Sequence, residues 1–181
     1  MTTDGERTNP VDSLRIPAKR NLAALRAAIE EASASEGTLL RAVFRTARYG
    51  VVSVAGEGQR SAVMNALGIA NHFIDPGAKP AAELAAVGPD EAEDSGEENP
   101  VAELAHGDVV TAAYEHPVYG DFTITAVALA AADSEDLWVG GWLLRAAGAL
   151  PPLLRTVHRH GAAADLGIDA PARLQALDVA V

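Results

Sequence analysis

The sequence predicts an α+β fold of two pseudo-symmetric β-β-β-α units preceded by an N-terminal helix. Three observations carry that prediction: a weak internal repeat, an alternating apolar pattern inside each copy, and a composition able to fill a core. The repeat has an offset of 70 residues and needs no gap; it pairs Gly37 with Gly107, Phe44 with Tyr114, Tyr49-Gly50 with Tyr119-Gly120, Leu84 with Leu154 and Val87 with Val157. Eight positions between Gly37 and Val87 are identical to their counterparts, and the remaining agreement is in apolar character. A single three-stranded unit of this size buries little. The two units therefore either share one core around a pseudo-twofold axis or form two small barrels joined by a linker.

Residues 1–15 read as a disordered tail, because polar residues and glycine dominate the stretch. A helix is expected over 16–36: Pro17 suits a first helical turn, and Leu22, Leu25, Ile29 and Ala32 recur at helical spacing. The first unit spans 37–87. Its opening strand, Thr38 to Thr46, sets Leu40, Ala42 and Phe44 on one face and Arg41 and Arg45 on the other. Arg48-Tyr49-Gly50 then belongs to a hairpin connection, with glycine supplying the positive φ and tyrosine the last large packing residue. A returning strand over Val51–Ala55, a third over Leu67–Ile74 and a short helix over Lys79–Val87 complete the unit.

Residues 88–106 form an acidic linker with seven carboxylates and no Lys or Arg. The second unit, 107–160, repeats the order with strands over 108–116, 121–130 and 137–144 and a helix from Leu150 to His160, in which Pro151-Pro152 fits only the start. A C-terminal segment, 161–181, ends in the apolar Val179-Ala180-Val181, suited to covering a sheet edge.

The net charge of −11 is unevenly distributed. The first unit carries five cations against three acids, a balance of +2, whereas the matching span 107–157 has two cations against six acids, a balance of −4. The copies differ in sign, which favours contact between them, within one chain or across a dimer.

Cysteine is absent, which removes disulfides, thiolate catalysis and cysteine-ligated metals. The polar start of the chain lacks the apolar core of a signal peptide. The most apolar window, Leu137 to Leu154, is broken by Gly140-Gly141, Arg145 and Pro151-Pro152, where a membrane span needs about 20 apolar residues. A cytoplasmic protein is the expectation. Heavy use of Ala, Val, Leu and Arg beside only Lys19 and Lys79 suggests a bacterial source with GC-rich coding.

Candidate sites compete with ordinary packing. Gly140-Gly141 between Trp138 and Trp142 suits a ligand groove or subunit contact, but glycines that make room for indoles in a core are the preferred reading. Glu115-His116 beside Tyr119 and Asp121 offers acid–base groups with no nucleophile placed near them. His158-Arg159-His160, on a helix, would point its imidazoles to opposite sides, which is poor geometry for one metal. Gly56-Glu57-Gly58 does not complete a dinucleotide-binding fingerprint.

The expectation is a non-enzymatic interaction protein, an adaptor or chaperone-like module that uses no cofactor or metal and assembles through protein contacts, a homodimer among them. Its surface would draw on Arg41, Arg45, Arg48 and Tyr49 in the first unit and Glu115, Tyr119, Asp121, Trp138 and Trp142 in the second. The alternative is a nucleic-acid-binding regulator that uses the Arg41, Arg45 and Arg48 face. No membrane partner is expected.

Overall fold

The computed structural model of the protein describes residues 38–46, 49–58, 82–89, 101–117, 120–131, 136–140, 142–146 and 153–174, together with Val11 and Leu14. These residues are mostly β. Nine strands run in chain order: β1 (Thr38–Thr46), β2 (Gly50–Gly58), β3 (Ala82–Pro89), β4 (Asp108–His116), β5 (Gly120–Val127), β6 (Leu129–Ala130), β7 (Leu137–Val139), β8 (Trp142–Arg145) and β9 (Leu154–Ala162). They form two antiparallel sheets, a six-stranded one ordered β3-β1-β2-β5-β4-β9 and a three-stranded one ordered β6-β7-β8.

This corrects the α+β expectation. Neither sheet is a closed barrel, so the two-barrel arrangement is also overturned. The helices expected to end each β-β-β-α unit are the edge strands β3 and β9, and the helical elements among the described residues are short 3₁₀ turns at Val101–Glu103 and Ala164–Leu166. The helix read over 16–36 and the strand read over 67–74 lie outside the described residues. Val11 and Leu14, within the span read as a tail, are buried in the core.

The reason for the helix error is a pair of β-bulges. The β1–β3 register sets Phe44 opposite Leu84 and Ala42 opposite Val87, with a shift between Val43 and Phe44. The β4–β9 register sets Tyr114 opposite Leu154 and Ala112 opposite Val157, with a shift between Ala113 and Tyr114. One extra residue in each edge strand turns a spacing of two into a spacing of three, which imitates the period of a helix. High alanine content in 82–86 adds to the resemblance, and pairing with β1 overrides it. Pro151-Pro152, read as the start of the second helix, lie outside the described residues.

The strand registers of the six-stranded sheet repeat at the offset of the sequence repeat. Thr46 pairs with Gly50 and His116 with Gly120. At the centre, Ser53 pairs with Thr125 and Ala55 with Thr123, symmetrically about Val54 and Ile124. An approximate twofold relation of the pairing thus passes between Val54 and Ile124, and the two hairpin ends lie at opposite ends of the sheet.

The smaller sheet covers one face of the larger. Leu137–Leu144, expected as one strand, is a hairpin with Gly140 at its reversal and Val139 paired to Trp142. Gly140 has φ +56, and a Cβ there would sit 2.9 Å from Ile124 Cγ2 and from Val52 Cγ1. The turn thus rests on the centre of the six-stranded sheet, where only glycine fits both the backbone and the space. Beside it Trp142 packs against Tyr114 and Phe122, at centroid distances of 5.4 and 5.0 Å. Ile124, Leu129, Leu137, Val139 and Leu144 are fully buried, and each such side chain contributes about 1.5–3 kcal/mol by leaving water.

The chain crosses between the sheets at Ala128. The Ala128 N–H donates to the Asp108 carbonyl at 2.7 Å, and the Gly107 N–H donates to the Ala128 carbonyl at 2.9 Å. The run Ala126–Ala131 is buried throughout, and its small side chains let the two sheets approach at the crossing. No helix among the described residues is long and apolar enough to cross a membrane.

Candidate functional site

Alternation along the strands gives the six-stranded sheet two unlike faces. The face under the smaller sheet carries Val52, Val54, Val110, Ala112, Tyr114, Phe122, Ile124 and Val157, all buried. The opposite face mixes polar groups with the buried Val43, Ala55, Val109 and Val127. The registers align Val43, Ser53, Thr125, Thr111 and His158 in one row from β1 to β9. Val43, Ser53 and Thr125 are 5%, 2% and 3% exposed, so the row is buried from β1 to β5 and becomes more open towards β9.

His160 joins the row through a second bulge. The β4–β9 register shifts between Val109 and Val110, leaving His160 as the extra residue between Arg159 and Gly161. Its Nε2 lies 2.7 Å from the Thr111 hydroxyl, which in turn lies 2.8 Å from the Thr125 hydroxyl. The imidazoles of His158 and His160 meet edge to face with centroids 5.6 Å apart. Burial pushes the His160 pKa down, and the charges of His158 and Arg41 push it the same way. Arg41 belongs to β1, so its charge acts on His160 across the sheet.

Arg159, between the two histidines, turns to the other side of the edge strand. Its guanidinium is 3.1 Å from Asp108, whose second oxygen accepts the Ala105 N–H at 2.9 Å. That hydrogen bond and charge raise the Arg159 pKa. Two other polar groups hold the frame together. Arg145 donates to the carbonyls of Val101, Ala102 and Leu104, at 3.0, 3.3 and 2.8 Å, and so fixes the 3₁₀ turn to β8. His106 Nδ1 accepts the Ala130 N–H at 3.0 Å; burial and the charge of Arg173 lower its pKa, while a hydrogen bond to the Pro171 backbone opposes them.

The surface residues expected from sequence are dispersed. Arg41 is half-buried on the polar face, and Arg45 is exposed on the same strand. Tyr49 is buried, at 2% exposure, in the turn before Gly50. Arg48 and Tyr119 lie outside the described residues. Glu115 and Asp121 are exposed and directly paired across β4 and β5, and Glu115 Oε2 also accepts from Arg155 at 2.8 Å. Trp142 is packed in the core, while Trp138 is half-buried. Burial also raises the Tyr114 pKa, and its hydroxyl donates to the Leu143 carbonyl at 2.8 Å.

The chain matches no family model, no curated protein and no solved structure. Its chemistry therefore has to be read from its own residues. The cluster that sequence reasoning missed is His158, His160, Thr111 and Thr125. The signal was present in His158-Arg159-His160: two imidazoles two apart diverge on a helix but share a face on a strand.

Proposed function

We propose that this chain is a non-enzymatic interaction protein of the bacterial cytoplasm that assembles through protein contacts, with a second copy of itself as its first partner. The observation that carries this reading is the opposite sign of the two hairpin ends. Arg45 is exposed near the β1–β2 end, and its counterpart at the 70-residue offset is Glu115, exposed near the β4–β5 end beside Asp121. The two ends lie at opposite extremes of one sheet. A second copy related by a twofold axis brings the basic end of each chain to the acidic end of the other.

The reading predicts a dimer in light scattering at low salt that dissociates as salt is raised, since exposed charges are screened. Arg45→Glu weakens the dimer, as does Asp121→Arg, and combining the two reversals restores it. A wild type that stays monomeric at every concentration and salt tested would overturn the reading. Salt-sensitive binding of DNA or RNA lost in Arg45→Glu would redirect it to the nucleic-acid alternative.

A further inference from the structure

The C-terminal segment, which the assembly reading does not use, meets the smaller sheet at Ala130. Leu174 is buried, donates its N–H to the Ala130 carbonyl at 2.9 Å and forms a parallel bridge with Ala131. The Ala130 N–H is taken by Nδ1 of His106 at 3.0 Å. A strand residue turns its N–H and C=O to one side, and for Ala130 that side is the outer edge of β6, since the next N–H, of Ala131, goes to Asp136. His106 and Leu174 together close an edge that would otherwise be open for pairing. Upstream, Pro171 packs on the Gly50 turn, while Asp169, Ala170, Ala172 and Arg173 are exposed. A stretch so lightly buried opens locally at lower cost than the sheets it crosses.

The bond to Ala130 fixes the protonation state of the ring. A nitrogen that accepts a backbone N–H carries no proton of its own, so His106 is neutral while Ala130 is bound. A proton added at Nδ1 turns the acceptor into a donor and sets two N–H groups against each other at a half-buried position. The charged groups around the ring are few. β6 has no titratable side chain at Leu129–Ala130, and Asp136 meets its end through a carbonyl. At β4 the Asp108 carboxylate is taken by the Ala105 N–H and Arg159; before it, Arg145 is engaged with carbonyls of the 3₁₀ turn and Glu103 is exposed. The segment brings Arg173, one residue before Leu174, whose charge repels a protonated ring; Asp165 and Asp169 are exposed. A hydrogen bond to the Pro171 backbone favours the charged ring, but it holds the ring to the segment and leaves β6 unpaired.

We propose that His106 is an acid-released latch: protonation at Nδ1 breaks its bond to Ala130, frees the segment from Pro171 to Leu174 and uncovers the edge of β6, while the six-stranded sheet stays folded. The closed form is complete above the ordinary imidazole pKa of about 6.5 and loses ground as pH falls towards the lowered value of the bound ring. Within that window one proton is taken up on opening, so the open fraction grows by up to about tenfold per pH unit.

The test is amide hydrogen exchange of the full chain between about pH 7.5 and 5.5, corrected for the intrinsic pH dependence of exchange, with Leu174 and Ala130 read against Ala112 and Ile124 of the large sheet. The expected result is protection at Leu174 and Ala130 that falls with acid by up to about tenfold per pH unit, with Ala112 and Ile124 unchanged. His106→Gln should keep Leu174 protected throughout, because its side-chain carbonyl can accept the same N–H and does not titrate. Arg173→Gln alters an exposed side chain and should make the acid loss smaller, which tests the latch even if His106→Gln does not fold. An unprotected Leu174 at the upper pH, protection independent of pH, loss at Ile124 in step with Leu174, a full acid response in folded His106→Gln, or an unchanged one in Arg173→Gln would each overturn the proposal.

Discussion

The first half of the six-stranded sheet, β3-β1-β2, and the second half, β5-β4-β9, share one plan of pairing and spend it differently. Both have a hairpin of the same register and an edge strand that bulges against the same position of its neighbour. The second half then continues into the β6-β7-β8 sheet and places Thr111 where the first half has Arg41, and Glu115 where it has Arg45. The same pairing plan thus carries different side-chain chemistry in the two halves. Pairing registers depend on apolar faces and bulges, which tolerate many exchanges of exposed residues.

The hairpin of the second half lies on the sheet centre, and Gly140 is the place to break it. Gly140→Ala would add a Cβ 2.9 Å from both Val52 and Ile124 and force an L-residue to φ +56. The expected loss is about 3 kcal/mol, combining left-handed strain with overpacking, and thermal unfolding would read it. Gly107→Ala isolates the backbone part, because Gly107 has φ +95 with nothing within 4 Å of its Cβ site. That variant should lose only about 1–2 kcal/mol. Equal losses would mean that the Gly140 turn yields easily and does not pin the smaller sheet to the centre.

Both hairpins were legible because Tyr49-Gly50 and the alternation of Leu40, Ala42 and Phe44 are local signals. The edge strands were not, because the residue that makes Leu154 and Val157 face one way is a bulge opposite Tyr114, a property of the pair of strands. The smaller sheet was half legible. Gly140-Gly141 drew attention as an oddity between tryptophans, yet the reversal depends on a nearby surface that the local sequence does not name. The histidine cluster stayed hidden for the same reason as β9 itself. Its members become neighbours only when Thr111 is known to lie beside His158 and His160.

A second difference lies in the C-terminal segment, which touches both halves unequally. Pro171 packs where a side chain at Gly50 would stand, 2.9 Å from the Cβ position, and Leu174 donates its N–H to the Ala130 carbonyl at 2.9 Å. His106 joins this segment to β6 while its Nδ1 accepts a hydrogen bond from the Ala130 N–H, so the bonded ring is neutral. Its folded pKa is lowered, so the unfolded chain binds the proton more readily. The stabilisation is complete above the ordinary histidine pKa of about 6.5 and declines as pH falls towards the folded value. His160 is lowered too and contributes with the same sign. Denaturant midpoints between about pH 7.5 and 5 should therefore fall with acid, and His106→Gln should flatten only its own part of the slope. A midpoint independent of pH over that range would contradict the bonded arrangement of His106.

The smallest effect concerns the mirrored edge charges. In the first half the register places Arg45 of β1 opposite Glu83 of β3; in the second, Glu115 of β4 meets Arg155 of β9, with the signs exchanged. Glu115 and Arg155 are 55% and 58% exposed at the side chain, so water and salt screen their 2.8 Å contact. Arg155→Ala should therefore change stability by less than about 1 kcal/mol, with the difference fading at high salt. Its effect on assembly should exceed its effect on folding. Removing Arg155 leaves Glu115 and Asp121 as unbalanced neighbours across β4 and β5, which makes that end more acidic and a better match for Arg45 of a second copy. Tighter association of Arg155→Ala at low salt, with an unchanged melting temperature, would tie the sign exchange to recognition. A loss of stability without tighter association would leave it as an edge contact of the sheet.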